Sequence, residues 1–165
     1  MNQLENKQRK KRLSGAGRPK RTRKISSENN LIDAPESDYL YIKPSQLPLS
    51  GNGLYTAIPI YKDEIIAIFE GELLTQRQIQ IRVNKEKDQY FISMPDGTIM
   101  DSYKTECFAK YANDAKAYPD SGFTNNAKIA MSDDDDICLI AISSIKANQE
   151  IFCNYGRKYW EKHGR

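Results

Sequence analysis

The stretch Glu150–Gly156, EIFCNYG, decides which fold this chain is expected to take, because two other short motifs precede it in an informative order. The first is the glycine pair of SGNGLY, Gly51 and Gly53, and the second is KYANDA, Lys110–Ala115. Each motif is weak evidence alone, since a Gly-x-Gly turn is most often only a turn. Their order and separations carry the information, and the rest of the chain limits what they can mean.

Length and charge divide the chain into two parts. The 165 residues are enough for one domain with short additions, and the low mean hydropathy is typical of a chain with a modest core. Residues 1–24 contain ten Lys or Arg and one acidic residue, whereas the remainder carries a net charge of −6. The overall charge of +3 therefore combines a basic arm with an acidic domain.

The first 38 residues are expected to form a disordered basic arm, because so few apolar side chains cannot offset the entropy that folding costs. Within this arm GAGRPKRTRK, residues 15–24, resembles an AT-hook, whose Gly-Arg-Pro core lies in the minor groove of A·T-rich DNA. A nuclear-targeting run or a general polyanion-binding run explains the same residues. Each alternative directs residues 7–24 toward nucleic acid or the nucleus, so an intracellular, chromatin-associated protein is expected.

Composition argues against several other classes of protein. A membrane-spanning helix needs about twenty consecutive apolar residues, and the longest apolar runs here are IIAIF and ICLIAI. A secretory signal is not expected, because no apolar segment follows the first positive charges. Cys107, Cys138 and Cys153 form no C-x-x-C pair, so neither a disulfide framework nor a zinc site is predicted. The single histidine, His163, lies near the C-terminus, and histidine-based catalytic triads are not expected.

Short β-prone runs separated by Gly, Asn, Asp and Pro predict a mostly β fold from residue 39 onward. Strands are predicted at residues 41–43, 53–58, 65–69, 90–94, 127–131 and 137–142. A helix is predicted to follow Thr75, which is a candidate N-cap for TQRQIQIRVNKEK. A short helix is predicted around residues 108–111, and a last one at residues 157–163.

Together, SGNGLY, KYANDA and EIFCNYG resemble the SET domain, a family that transfers methyl groups from S-adenosylmethionine to protein lysines. The resemblance covers roughly residues 40–162 and implies a β-clip-like fold of several short sheets with a C-terminal pseudoknot. The domain is therefore expected at residues 39–165. The resemblance also implies S-adenosylmethionine as cofactor and a protein lysine as substrate, with a histone tail as one candidate. No metal is implied, because RKYWEKHGR stands where the family often has three zinc-binding cysteines.

Methyl transfer requires a neutral amine in a dry, electron-rich channel. A free lysine has a pKa near 10.4, so keeping it neutral at pH 7 costs about 4.6 kcal/mol, which burial between aromatic walls helps to offset. The chain has ten tyrosines, more than its small core needs. The resemblance assigns Tyr155 to the position beside the transferred methyl and Tyr90, which opens YFISM, to the lysine channel. Ordinary half-buried packing is the alternative for each of these side chains.

The resemblance also assigns a set of cofactor-binding residues. The main chain of Gly51, Asn52 and Gly53 is expected to contact the methionine part of the cofactor, as glycines let a backbone pass close to a ligand. Asn113 is expected to tie the amino acid end of the cofactor to the loop crossing. Trp160, together with Tyr159, is expected to cover the adenine, and a helix face packed on a sheet is the alternative.

Several positions depart from the family pattern. Asp114 stands where the family has a histidine, on the adenine side, so its expected role in binding the cofactor is open. The Asn-Asp-Ala form resembles a divergent branch in which Asn125–Ala127 follow after an insertion. Cys153 replaces a Phe or Tyr that limits how many methyl groups fit, so the degree of methylation is open. The run Asp133–Asp136 attracts a basic peptide or forms a solvated hairpin tip.

Three functions remain open at this stage. The first is a protein-lysine methyltransferase, which the set Tyr90, Asn113 and Tyr155 favours. The second is an inactive SET-like scaffold that binds chromatin or nucleic acid through its arm, which Asp114 and Cys153 favour. The third is methylation of the chain's own arm, whose lysines a flexible tether brings to the site. The sequence leaves the oligomeric state open.

Overall fold

A computed structural model describes residues 30–164 and confirms the mostly β architecture. The strands are, in chain order, β1 (Leu40–Pro44), β2 (Asn52–Thr56), β3 (Ile65–Ile68), β4 (Glu72–Leu74), β5 (Phe91–Ser93), β6 (Ile99–Asp101), β7 (Ala127–Met131), β8 (Ile137–Ala141) and β9 (Glu150–Ile151). Within this part of the chain they form antiparallel sheets in the orders β1-β2-β9, β3-β8-β7 and β4-β6-β5.

All six predicted strands are present, with ends that differ by no more than two residues from the predictions. β8 is the middle strand of its sheet and every one of its residues is buried, as its continuous apolar run indicated. Strands β4, β6 and β9 were not predicted. Each has only two or three residues. The partners of β4 and β9 lie far away in sequence, whereas β6 pairs with the neighbouring β5 as well as with β4.

The helices are short and lie around the sheets. They are α1 (Glu36–Tyr39), α2 (Gln76–Asn84) and α3 (Arg157–His163), and α3 has the predicted bounds. Thr75 caps α2 as predicted, because its hydroxyl accepts from the Gln78 amide and the Gln78 side chain bonds back to the Thr75 amide. The predicted short helix near residue 108 is a 3-10 turn at Ala109–Tyr111. Further 3-10 turns lie at Ala115–Ala117 and Pro119–Ser121.

Residues 30–38, which the sequence analysis placed in the arm, pack against the domain. Asn30 is buried, Leu31 forms a parallel bridge to Ile65, and the Glu36 carboxylate accepts from the Ile68 amide. The rest of the basic arm, including the AT-hook-like run, lies outside the described residues. No helix within residues 30–164 is long and apolar enough to cross a membrane.

The core lies where the first two sheets meet. The fully buried side chains include Leu54 from β2, Ile66 from β3, Leu139 from β8 and Ile151 from β9. Burying a side chain of this size contributes about 1.5–3 kcal/mol. This core supports the C-terminal segment, which carries the last of the three motifs.

The C-terminal segment runs between the two ends of the connection from residue 113 to residue 126. On one side the Cys153 amide donates to the Asn113 carbonyl, and on the other the Asn126 and Ala127 amides donate to the Phe152 carbonyl. The buried carboxamide of Asn126 donates to the Glu150 carbonyl and accepts from the Phe152 amide. This is the arrangement that the predicted pseudoknot requires, and it brings residues 113 and 155 together.

Candidate active site

A cavity of about 660 Å³ lies where the three sequence motifs meet. A volume of this size suits a ligand of drug or cofactor size. Its wall includes seven of the predicted site residues, which are Gly51, Asn52, Tyr90, Asn113, Asp114, Tyr155 and Trp160. The fold therefore assembles one site from segments that lie about 40 to 60 residues apart in sequence.

Tyr155 is held rigidly at this cavity. Its hydroxyl donates to the Ala112 carbonyl over 2.9 Å, and its amide donates to the Asp114 carboxylate over 3.0 Å. Burial raises the pKa of the Tyr155 phenol well above 10, and the nearby Cys153 adds to this effect. The hydroxyl is therefore neutral at physiological pH, and its oxygen keeps capacity to accept a further hydrogen bond.

Asn113 connects two of the motifs. Its Nδ2 donates to the Asn52 carbonyl over 2.9 Å, which fixes the glycine turn against KYANDA. Gly51 lies in this turn with φ of +67°, a backbone conformation that glycine adopts without cost, and a Cβ at Gly51 would meet nothing within 4 Å. The space beside the Gly51 main chain is consequently unfilled, and both Gly51 and Asn52 line the cavity.

The Asp114 carboxylate is committed to internal donors. Oδ1 accepts from the Lys116 amide and Asn125 Nδ2, whereas Oδ2 accepts from the Tyr155 amide and Trp160 Nε1. The residue is 2% exposed. Asp114 was predicted to bind the cofactor; it lines the cavity and its side chain joins Tyr155 and Trp160 in the cavity wall, so its contact with a cofactor stays a prediction.

Helix α3 supplies an aromatic wall. The Trp160 ring is stacked on Tyr155 with centroids 5.8 Å apart, and Tyr159 packs edge-on against both rings. The far end of α3 is anchored by an ion pair between Lys162 and the buried carboxylate of Asp88. Both interpretations of Trp160, as a cover for the adenine and as part of a packed helix face, are compatible with its position. Helix α3 packs on the site, and Trp160 lines the cavity.

Tyr90 also lines the cavity, together with Tyr111. It is 38% exposed and its ring packs against Tyr103 at a centroid distance of 5.6 Å. Burial raises the pKa of Tyr90, and the neighbouring Tyr111 and Tyr103 add to the shift. Burial also raises the pKa of Tyr159. The cavity is therefore walled by neutral phenols.

Two predicted positions lie outside the cavity wall. Gly53 is in β2, where a Cβ would overlap the Glu150 carboxylate, so glycine is required there for packing. That carboxylate is fully buried and accepts from Ser45 Oγ, the Gln46 amide and the Tyr55 hydroxyl. Cys153 is 1% exposed, its Sγ lies 3.5 Å from the Ala112 carbonyl, and burial raises the pKa of its thiol.

Sequence reasoning missed the importance of Ala112 and Tyr111. The Ala112 carbonyl accepts from both the Tyr155 hydroxyl and the Cys153 thiol. Because this acceptor belongs to the main chain, the alanine side chain gives no sign of it in the sequence. Tyr111 lies inside KYANDA, so its position close to Asn113 could have identified it as a cavity residue.

The run Asp133–Asp136 is an exposed turn between β7 and β8. The amides of Asp134 and Asp136 donate to Ser132 Oγ, and the run does not line the cavity.

Comparison with known proteins identifies the architecture. Residues 51–156 match the SET domain family. Over 77 residues, or 47% of this chain and 20% of the relative, the sequence is 30% identical to Histone-lysine N-methyltransferase SETD7 of Halocynthia roretzi.

Solved structures agree with this match. The structure of ctPRC2 in an autoinhibited conformation bound to S-adenosylmethionine is similar over 72% of this chain and 15% of that chain, with a TM-score of 0.58 and 26% identity. A humanized mutant of the Chaetomium thermophilum Polycomb Repressive Complex 2 bound to an inhibitor is similar over 71% of this chain and 15% of that chain, with a TM-score of 0.59 and 26% identity. The chain thus spans a fifth or less of the length of these relatives.

Proposed function

The chain belongs to the SET domain family, and from this premise we propose that it is a protein-lysine methyltransferase that uses S-adenosylmethionine. The observation that carries the proposal is the single cavity in which Gly51, Asn113 and Tyr155 meet beside neutral tyrosines. Three segments distant in sequence supply these groups, and the hydrogen bonds of Asn113 and Asp114 join the segments. Such a set is expected where a cofactor and a lysine chain must meet.

The residues present fit the cofactor. The unfilled space beside Gly51 leaves room for the methionine part of the cofactor. Asn113 would hold the amino acid end of the cofactor, and Trp160 would cover the adenine from α3. When bound, S-adenosylmethionine supplies an electrophilic methyl carbon and leaves as S-adenosylhomocysteine.

The protein's own contribution is to keep the substrate amine neutral and aligned. A lysine that enters from water as an ammonium ion releases its proton to solvent, and the neutral phenols of Tyr90 and Tyr155 disfavour its return. The Tyr155 hydroxyl donates to Ala112, so its oxygen is left to accept from the amine N–H. Tyr90 and Tyr155 would thereby hold the amine lone pair in position for the methyl carbon that the bound cofactor would supply. The methylated ammonium product is stabilised by the faces of the tyrosine rings.

The substrate is a lysine in a basic protein segment, and a histone tail is the candidate that we propose. The match to a histone-lysine methyltransferase supports this choice. A basic arm at residues 7–24 supports nucleic acid as a further partner and chromatin in the nucleus as the site of action, because such runs bind phosphates.

Cofactor binding is the first test. We expect S-adenosylmethionine to bind the purified protein with micromolar affinity in a calorimetric titration, and we expect no measurable heat with Asn113→Ala. Asn84→Ala is the matched control, because Asn84 is an exposed asparagine in α2 that does not line the cavity. Equal unfolding temperatures of the three cofactor-free proteins would show that lost binding is not lost folding.

Methyl transfer is the second test. The protein is incubated with cofactor labelled in the methyl group and with core histones, and labelled lysines are located by mass spectrometry. Label on a histone lysine supports the proposal, whereas cofactor binding without transfer to any protein contradicts the proposed activity. An intact protein that does not bind the cofactor favours the inactive scaffold.

A further inference from the structure

The geometry around Asp114 assigns it a second role, which rests on the proposed function. We propose that Asp114 is a positioning residue for methyl transfer, which fixes Tyr155 against Trp160 and holds helix α3 over the cavity. The family pattern has a histidine at this position, so the sequence alone left the contribution of Asp114 to cofactor binding open. The contacts of the carboxylate indicate that the aspartate performs a structural task that this chain needs.

The carboxylate bonds to Tyr155 and Trp160 in the cavity wall and to two further donors, the Lys116 amide and Asn125, which do not line the cavity. Oδ2 accepts from the Tyr155 amide over 3.0 Å and from Trp160 Nε1 over 2.9 Å. Oδ1 accepts from Asn125 Nδ2 over 2.8 Å and from the Lys116 amide over 3.0 Å. The last bond closes the N-terminus of the 3-10 turn at Ala115–Ala117. One side chain thus ties the turn, the returning loop and α3 to the catalytic tyrosine.

The number of donors explains why an acid occupies this position. An ionised carboxylate is an acceptor only, with about four lone-pair sites, and here four N–H groups converge on it. An asparagine amide offers one accepting oxygen and one donating NH₂ group. Its NH₂ group would necessarily face two of the four donors, so one side of the clamp would open. Because Asp114 is 2% exposed, water cannot easily replace the lost partners.

Loss of the hydrogen bonds to Asp114 would affect the positions of Tyr155 and Trp160 together. No residue of α3 is fully buried, and the helix packs on the site through the rings of Tyr159 and Trp160. Its polar attachments to the rest of the described domain include the Trp160 hydrogen bond to Asp114, and Lys162 and His163 both approach the Asp88 carboxylate. Loss of the first attachment frees the end of α3 that stacks on Tyr155, and displacement of a catalytic group by about 1 Å lowers the rate about 10²-fold.

Trp160 makes the proposal directly measurable, because it is the only tryptophan in the chain. We compare Asp114→Ala, which removes both accepting oxygens, with the unaltered protein by Trp160 emission, by acrylamide quenching and by steady-state kinetics. Asp120→Ala is the matched control, because Asp120 is an exposed aspartate that does not line the cavity. Far-UV circular dichroism confirms that each variant is folded before it is used.

We expect Asp114→Ala to shift the Trp160 emission to longer wavelength, to increase acrylamide quenching and to lower kcat about 10- to 100-fold. The control should keep the native emission and a kcat within about threefold of the unaltered protein, because the misplacement that costs rate does not occur. Native emission and quenching in Asp114→Ala would overturn the positioning role, and so would altered emission with unchanged kcat. Failure of the proposed function is distinguishable, because the unaltered protein itself would then fail to bind S-adenosylmethionine or to transfer its methyl group.

Discussion

The Tyr155 hydroxyl donates one hydrogen bond within the protein, and under the proposed function its oxygen accepts another from the substrate amine. Its proton is given to the Ala112 carbonyl, and burial holds the phenol neutral by raising its pKa well above 10. We therefore expect Tyr155→Phe to lower kcat on the order of 10²-fold while changing the affinity for S-adenosylmethionine little, because the lost hydroxyl acts on the amine. Single-turnover methyl transfer and a calorimetric titration would measure the two quantities.

The control for this prediction is Tyr61→Phe, which changes an exposed tyrosine that does not line the cavity. Its kcat should equal that of the unaltered protein. A Tyr155→Phe variant that retains full kcat would contradict the assigned role and would leave Tyr155 as an ordinary packed tyrosine.

At the residue scale the sequence identified the motif positions but not what their side chains face. Gly51 and Gly53 look equivalent in SGNGLY, yet only Gly51 lines the cavity, whereas Gly53 makes room for the Glu150 carboxylate. That distinction depends on a contact between β2 and a residue almost one hundred positions later, which no local pattern encodes. The commitment of Asp114 to four internal donors was hidden for the same reason.

At the scale of elements, local signals predicted well and pairing signals did not. Helix α2 was predictable because Thr75 and Gln78 form a capping box within four consecutive residues. Strands β4 and β6 have three residues each and are stabilised by pairing with each other, so neither has a periodicity of its own. Arg82 from α2 bonds to Glu72 in β4 and Asp101 in β6, which fastens the predictable helix to the unpredicted sheet.

The N-terminal cap of α2 allows the contribution of this helix to stability to be tested. Thr75→Ala removes the acceptor for the Gln78 amide, so we expect the free energy of unfolding to fall by about 1 kcal/mol. Thr75→Ser keeps a hydroxyl at the cap and should stay within about 0.5 kcal/mol of the unaltered protein, as serine caps at least as well. Urea denaturation followed by circular dichroism measures both values, and equal stabilities of Thr75→Ala and Thr75→Ser would contradict the cap.

At the scale of the whole molecule, the order of three motifs was enough to predict the fold, because only a chain that returns between its own loops brings them together. The structure has this arrangement, in which residues 150–153 bond both to Asn113 and to Ala127. The exact edges of the sheets could not be predicted, since they depend on contacts across the fold. The basic arm at residues 1–29 lies outside the described residues, and its binding to nucleic acid stays a prediction.

Buried phenols give the whole molecule a predictable response to alkali. Burial raises the pKa of Tyr39, whose hydroxyl donates to the Ile66 carbonyl, to about 12, and burial also raises the pKa of Tyr155 well above 10. In the unfolded chain both phenols ionise near pH 10. Because the folded state keeps them neutral, their contribution to stability is fully present below pH 10 and is lost as pH rises from 10 toward 12.

We therefore expect the free energy of unfolding to decline steadily between pH 9.5 and about pH 11.5, as measured by urea denaturation at a series of pH values. Tyr39→Phe should be less stable by about 1 kcal/mol at pH 8, because a buried hydrogen bond is lost, and should show a shallower decline above pH 10. Other groups that titrate near pH 10, such as lysines in surface ion pairs, affect both proteins equally, so the difference between the two slopes isolates the phenol. Parallel slopes would show that Tyr39 ionises freely in the folded state, and the burial assigned to it here would then be wrong.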